Sequence, residues 1–219
     1  MLLEKGDKLL MIGDSITDCG RARPVGEGFA GLGDGYVRLV YALLTAVYPE
    51  KLIRVINMGV SGNTVRALKE RWDTDVLALR PDWLSIMIGV NDVWRQFDAP
   101  QMVGVHVLPE EYENTLEMLV KQTRPLLKGL VLMRPFHIEP LKEDAMRSTV
   151  DLYGDIVKKI AEKYDAIFVD TQAAFDKLLQ YGHSSRYSWD RVHPDLAGHT
   201  VIAKAFLDAI GFDWNRSDF

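Results

Sequence analysis

Short, nearly continuous apolar runs alternate with amphipathic stretches along most of this chain, and this alternation restricts its fold more than any other feature. Five runs are predicted to be buried strands, at residues 8–12, 53–57, 83–88, 130–133 and 166–169. Strands that are apolar on both faces are typical of a parallel sheet that helices cover on both sides. The pattern therefore predicts an α/β fold with a five-stranded parallel sheet.

The stretches between these runs carry apolar residues at helical spacing. Three stripes stand out: Leu116, Leu119, Val120 and Thr123; Leu152, Ile156, Ile160 and Tyr164; and Ile202, Ala205, Phe206 and Ala209. The last of these helices is expected to open at Pro194, because proline is favoured in the first turn of a helix. Each stripe predicts a helix that packs one face on the sheet.

Length and charge exclude several classes of protein. A chain of 219 residues favours one domain over residues 1–219. Its 31 acidic and 26 basic residues give a net charge of −5, without a run of Lys or Arg, so we expect no nucleic-acid partner. Cys19 is the only cysteine, which excludes an intrachain disulfide.

No segment of the sequence has the apolar character of a membrane anchor or a secretion signal. Charged residues such as Glu4, Lys5 and Asp7 interrupt the N-terminal region where a signal peptide would be apolar. The longest apolar-rich segment, residues 39–47, is far shorter than the ~20 residues that span a bilayer. We therefore expect a cytoplasmic protein without a membrane partner, and either a single subunit or a homo-oligomer.

Small polar clusters follow three of the predicted strands, and a fourth precedes the last helix. They lie at residues 13–17, 57–63, 89–92 and 190–194. Ligands of parallel α/β folds bind beyond the carboxyl ends of the strands, where segments that are distant in sequence converge. The four clusters are therefore expected to form one site.

Together the clusters contain what serine acyl transfer requires. Ser15 is the candidate nucleophile, His193 the base that takes its proton, and Asp190 the group that orients the imidazole. The tetrahedral intermediate also needs donors for its oxyanion. The backbone N–H groups of Ser15 and Gly62 and the side-chain amide of Asn91 are the candidates.

At these positions the sequence resembles the SGNH (GDSL-type) hydrolases. The resemblance lies in Gly-Asp-Ser at residues 13–15, a glycine after the second strand, Gly-x-Asn-Asp at 89–92 and Asp-x-x-His at 190–193. It implies a flavodoxin-like three-layer α/β/α sandwich with five parallel strands. It also implies a Ser15–His193–Asp190 triad with Gly62 and Asn91 as oxyanion donors.

Within that family the sequence is most similar to the intracellular acetylxylan esterases. The residues that carry this similarity are 13–24, 61–66, 85–96 and 189–194, with Ile16 where the name-giving motif has leucine. The similarity implies an esterase that removes acetyl groups from acetylated xylo-oligosaccharides or related sugar esters. Trp94 and Trp189, next to two of the blocks, are candidate platforms for a sugar ring, with plain packing as the alternative.

Three further patterns suggest other chemistry and are weaker. Ser61 lies in an incomplete Gly-x-Ser-x-Gly elbow, because Asn63 takes the second glycine position. His199 follows His193 by six residues, a spacing that matches no metal signature, so no metal or cofactor is expected. Residues 26–31 spell the dinucleotide fingerprint but do not directly follow a predicted strand.

Two alternative functions stay open on sequence grounds. The same machinery could serve lipid or thioester acyl groups, as in a lysophospholipase or thioesterase. A non-catalytic α/β module could instead bind a phosphorylated ligand or nucleotide through the glycine-rich loop at residues 26–35. Asp14 and Asp92 are expected to hold loops through backbone N–H groups rather than to do chemistry.

Overall fold

The computed structural model of this chain describes residues 1–28 and 30–217. Within them the strands are β1 (Lys8–Gly13), β2 (Gly26–Glu27), β3 (Arg54–Asn57), β4 (Trp83–Met87), β5 (Gly129–Met133) and β6 (Ile167–Val169). The α-helices are α1 (Ser15–Asp18), α2 (Tyr36–Val47), α3 (Val65–Glu70), α4 (Val90–Asp98), α5 (Pro109–Thr123), α6 (Ala145–Lys163), α7 (Thr171–Leu179) and α8 (Leu196–Ala209). Single 3₁₀ turns lie at Pro49–Lys51, Val103–Val105, Arg124–Leu126 and Ser184–Arg186, and a π turn lies at Asp73–Leu77.

The strands form one sheet in the order β2-β3-β1-β4-β5-β6. The five predicted strands are all present and pair in parallel. The sheet differs from the expectation by one strand, since β2 pairs antiparallel with β3 at the edge through Gly26↔Asn57 and Glu27↔Ile56. A strand of two residues is too short to show an apolar pattern in the sequence, and this explains why it was not predicted.

Helices cover both faces of the sheet, which confirms the three-layer α/β/α architecture. Alternate residues of β1 point to opposite faces, as the pleat of a strand requires. Leu9 and Met11 enter a core with residues of α2 and α8. Leu10 and Ile12 enter a second core with residues of α3, α5 and α6.

Two details of the helix predictions need correction. The predicted stripe puts Leu152 on the buried face of α6, but the structure leaves Leu152 49% exposed. The neighbouring Tyr153 is fully buried in its place. Helix α8 begins at Leu196 rather than at Pro194, because Asp195 caps it by accepting a hydrogen bond from the N–H of Gly198 at 2.8 Å.

The topology brings the four polar clusters to one side of the molecule. The segments after β1, β3 and β4 leave neighbouring parallel strands at the same edge of the sheet. The segment before α8 reaches the same edge, since His193 contacts Ser15 there. Among the residues that the structure describes, no helix combines the length and apolar character that a membrane crossing needs.

Candidate active site

Ser15 lies where β1 turns directly into the short helix α1. Asp14 caps this turn, and its Oδ1 accepts a hydrogen bond from the N–H of Ile16 at 3.0 Å. Gly13 has no room for a side chain, because a Cβ there would collide with the carbonyl of Met87 and with Thr17. The tight turn leaves the hydroxyl of Ser15 at the carboxyl edge of the sheet, where it is half-buried.

A chain of two hydrogen bonds joins Ser15, His193 and Asp190. The Oγ of Ser15 is 2.9 Å from the Nε2 of His193. The Nδ1 of His193 is 2.6 Å from the Oδ2 of Asp190. A base within hydrogen-bond reach of a serine, itself oriented by a carboxylate, is the geometry that activates a serine hydroxyl for nucleophilic attack.

The carboxylate of Asp190 also shapes the loop that carries His193. Its Oδ1 accepts hydrogen bonds from the backbone N–H of Val192 at 2.9 Å and of His193 at 2.7 Å, and from the hydroxyl of Ser188 at 3.1 Å. Burial raises the pKa of Asp190, but the bonds from His193 and Val192 outweigh it and hold the pKa below its ordinary value. Asp190 is therefore anionic at neutral pH, as a partner for an imidazolium must be.

The three N–H groups expected to bind an oxyanion belong to the segments that follow β1, β3 and β4. Among the described residues, the N–H groups of Ser15 and Gly62 have no hydrogen-bond partner. Gly62 has φ +80°, a conformation that favours glycine, and its loop position is exposed. The buried amide of Asn91 donates to the carbonyl of Asn63 at 3.0 Å, and its second N–H remains available to a ligand.

Two tryptophans flank the imidazole of His193. The Trp189 ring lies nearly parallel to it, at 6.3 Å between centroids, and Trp189 is 85% exposed. Trp94 is half-buried and tilted against the same imidazole at 5.6 Å. The structure therefore places both candidate platforms at the site, with Trp189 presenting far more of its ring to solvent.

The weaker sequence patterns have structural roles. The hydroxyl of Ser61 donates to the carboxylate of Asp18 at 2.9 Å rather than to a base. His199 is buried against the thiol of Cys19 at 3.3 Å, and burial lowers its pKa to about 4. Within residues 1–28 and 30–217, no group of three or more His, Cys, Asp or Glu side chains is placed to hold a metal ion.

The glycine-rich segment does not have the geometry of a dinucleotide loop. Gly26 belongs to the edge strand β2, and the next helix, α2, opens only at Tyr36. Phe29, inside the motif, lies outside the described residues. The segment therefore extends the sheet rather than opening a helix toward a phosphate.

The two loop aspartates act as predicted. Asp14 accepts from Ile16 as described above, and Asp92 accepts from the N–H of Val65 at 2.9 Å at the start of α3. Sequence reasoning missed Asp18 and Arg71, whose side chains hold the loop that carries Gly62. Neither residue is at a sequence spacing from this loop that would indicate a contact with it. The sequence therefore contains no signal for their role.

An α/β/α sandwich with a serine, a histidine and an aspartate joined at the carboxyl edge of its sheet defines an acyl-hydrolase type of site. This chain belongs to the GDSL-like lipase/acylhydrolase family, whose sequence model matches residues 11–201. The family resemblance seen in the four sequence blocks is thereby confirmed.

One curated relative and two solved structures are similar over nearly the whole chain. An acetylxylan esterase from Geobacillus stearothermophilus is 60% identical over 218 residues, which are 99% of this chain and 100% of the relative. The crystal structure of Axe2, an acetylxylan esterase from Geobacillus stearothermophilus, is 60% identical and superposes with a TM-score of 0.98, over 99% of this chain and 100% of its own. LAE5, an alpha/beta hydrolase enzyme from the metagenome of Lake Arreo, is 52% identical with a TM-score of 0.95, over 97% of this chain and 98% of its own.

Proposed function

We propose that this protein is a serine esterase that removes acetyl groups from acetylated xylo-oligosaccharides or related sugar esters. The observation that carries the reaction type is the hydrogen-bonded chain from Ser15 through His193 to Asp190. The 60% identity to an acetylxylan esterase over the whole chain supports the substrate class. Solved catalytic mutants of Axe2 replace a serine, an aspartate or a histidine by alanine, the same three residue types.

The first half of the proposed reaction forms an acyl-enzyme. The Oγ of Ser15 attacks the ester carbonyl while the Nε2 of His193, 2.9 Å away, takes the hydroxyl proton. The anionic carboxylate of Asp190 stabilises the imidazolium that results and fixes its orientation. His193 then gives the proton to the departing sugar oxygen, and the acetyl group remains on Ser15.

The second half releases acetate. A water molecule loses a proton to His193 and attacks the acetyl-serine ester, and the proton then returns to the Oγ of Ser15. In both halves the negative charge develops on the former carbonyl oxygen. The N–H groups of Ser15 and Gly62 and the Asn91 amide are the donors we assign to it, since a preorganised donor strengthens as that charge forms.

We assign binding of the sugar ring to Trp189, with Trp94 lining the other side of His193. The exposed indole of Trp189 lies beside the imidazole that must reach the leaving oxygen. A flat apolar surface with a polar edge matches the apolar face of a pyranose ring. Trp94 is fixed by the core and by the guanidinium of Arg95, which lies 5.1 Å from its ring centroid.

A substrate panel tests this proposal. We expect hydrolysis of acetylated xylobiose and of p-nitrophenyl acetate, with rates that fall steeply from acetyl to octanoyl esters. The Ser15→Ala variant is the control and should lose nearly all turnover. A deep apolar channel would instead favour each added CH₂ by about 0.8 kcal/mol. Octanoyl or acyl-thioester substrates cleaved better than acetyl esters would replace the carbohydrate assignment with a lipid or thioester one.

A further inference from the structure

We infer that Arg71 is a positioning residue of the oxyanion hole, holding the loop that carries Gly62 in place against the end of β1, which Ser15 follows. The inference rests on the proposed function and concerns how its donors keep their relative positions. Those donors come from three separate segments, after β1, after β3 and at the start of α4. Because an oxyanion must be reached by all of them at once, their spacing has to be set by contacts between the segments.

Arg71 directly follows α3, and its side chain makes such contacts. Its Nη2 donates to the carbonyl of Gly13 at 3.0 Å, two residues before Ser15. Its Nη1 donates to the carbonyl of Met58 at 2.7 Å, and its Nε donates to the Oδ1 of Asn63 at 2.6 Å. One guanidinium therefore joins the end of β1 to both ends of the loop that follows β3.

The loop needs such a contact because little packing holds its tip. Gly62 is exposed, and a Cβ built on it would meet nothing within 4 Å. Hydrogen bonds hold the two residues next to Gly62 instead. The carboxylate of Asp18 accepts from the N–H and the hydroxyl of Ser61, at 3.0 and 2.9 Å. On the other side, the only side-chain bond described for Asn63 is the one from Arg71.

The same residue connects the third donor to this arrangement. The backbone carbonyl of Asn63 accepts the amide N–H of Asn91 at 3.0 Å. A shift of Asn63 therefore moves the N–H of Gly62 and releases the amide of Asn91 together. Arg71 controls two of the three donors through one side chain.

The geometry requires an arginine at this position. The guanidinium is largely buried, with 15% of the side chain exposed, and its charge is matched by the carboxylate of Asp75 at 2.7 Å. A planar guanidinium donates in several fixed directions at once, whereas a lysine ammonium is a compact point charge on a flexible stem. A lysine would keep the ion pair with Asp75, but one ammonium group cannot reach all three acceptors on Gly13, Met58 and Asn63.

The experiment compares Arg71→Lys, Asn63→Ala and the double variant by steady-state kinetics on p-nitrophenyl acetate, with thermal unfolding to confirm folding. Loss of a whole oxyanion donor costs about 10²–10³ in kcat, and a displacement of about 1 Å can cost 10². We expect kcat to fall by about 10- to 100-fold in both single variants, with KM within about twofold of wild type. The double variant should lose about as much activity as the more severe single variant, because Arg71→Lys already removes the bond that Asn63→Ala breaks.

Arg66→Lys is the matched control. Arg66 lies in α3, five residues before Arg71, and its guanidinium is also bonded several times, to Glu111 and to the carbonyls of Gly104 and His106, none of which belongs to a site segment. It should keep wild-type kcat. Folded variants of Arg71 and Asn63 with kcat within about twofold of wild type, or independent losses that multiply in the double variant, would overturn the inference. If Arg71→Lys does not fold, Asn63→Ala decides alone, and activity retained in Ser15→Ala would instead refute the proposed function.

Discussion

Asp190 contacts His193 through both of its carboxylate oxygens. Oδ2 lies 2.6 Å from Nδ1, and Oδ1 accepts the backbone N–H of the same residue at 2.7 Å. One carboxylate thus orients the imidazole and also folds the loop that carries it. Because of this dual role, two different substitutions at Asp190 can separate its effect on catalysis from its effect on the loop.

Asp190→Asn should abolish activity while keeping the loop. Its amide oxygen can still accept from the loop N–H groups, but its NH₂ group facing His193 favours the wrong tautomer. We expect kcat to fall by about 10⁴ with little change in melting temperature. Asp190→Ala also leaves the loop N–H groups without an acceptor, which costs about 1 kcal/mol each. Kinetics and thermal unfolding of both variants check this, and Asp190→Asn with a tenth of wild-type activity would contradict it.

Asn91→Ala should lower kcat by about 10²–10³ with a small change in KM, because the amide acts on the charge of the transition state. Asn91→Asp is the matched variant, with the same size but an acceptor in place of the donor. It should lose at least as much, since a carboxylate repels the oxyanion. Steady-state kinetics on p-nitrophenyl acetate measure both. A rise in KM at constant kcat would assign Asn91 to substrate binding instead.

Trp189→Ala should weaken the reaction on a sugar ester more than on p-nitrophenyl acetate. The exposed indole has a free face for a sugar ring, and p-nitrophenyl acetate carries the same acetyl group without a sugar. Trp189→Phe keeps an aromatic face and should lose less on acetylated xylose than Trp189→Ala does. The check is the ratio of kcat/KM on the two substrates. Equal losses on both would leave Trp189 as a packing partner of His193.

His199 makes folding stability depend on pH. Burial lowers its pKa from 6.5 to about 4, so between these values the unfolded chain binds a proton that the folded chain excludes. Stability therefore falls as pH drops through this window, by up to about 3 kcal/mol at pH 4. His199→Gln lacks this dependence. Urea unfolding at pH 4.5, 5.5 and 7 should show the stability of the variant relative to wild type increasing toward acid pH.

Two buried carboxyl groups have the opposite effect on how stability depends on pH. Both are present in wild type and in His199→Gln. Burial raises the pKa of Asp14 and of Asp92 to about 7. The folded chain therefore binds more protons there than the unfolded chain, and their contribution to stability decreases as pH rises toward 7. Because they are present in wild type and variant alike, they cancel in the difference. A difference that does not change with pH would contradict a buried neutral His199.

The sequence by itself determined the architecture and identified the candidate site residues. Both rest on patterns that are local: apolar runs predict buried strands, and polar residues at strand ends must meet at one edge of a parallel sheet. Each end of the five parallel strands agrees with the prediction to within one residue. The proximity of Ser15 and His193, 178 positions apart, follows from that topology.

Only the tertiary structure decided which side chains support the site. Arg71 reaches Gly13, Met58 and Asn63, and Asp18 holds Ser61, through side-chain bonds to segments that chain folding brings near. No periodicity or spacing encodes such contacts, because they depend on rotamers and on the exact path of loops. The same reason hid the edge strand β2, whose two residues gain their order from pairing with β3 rather than from their own pattern.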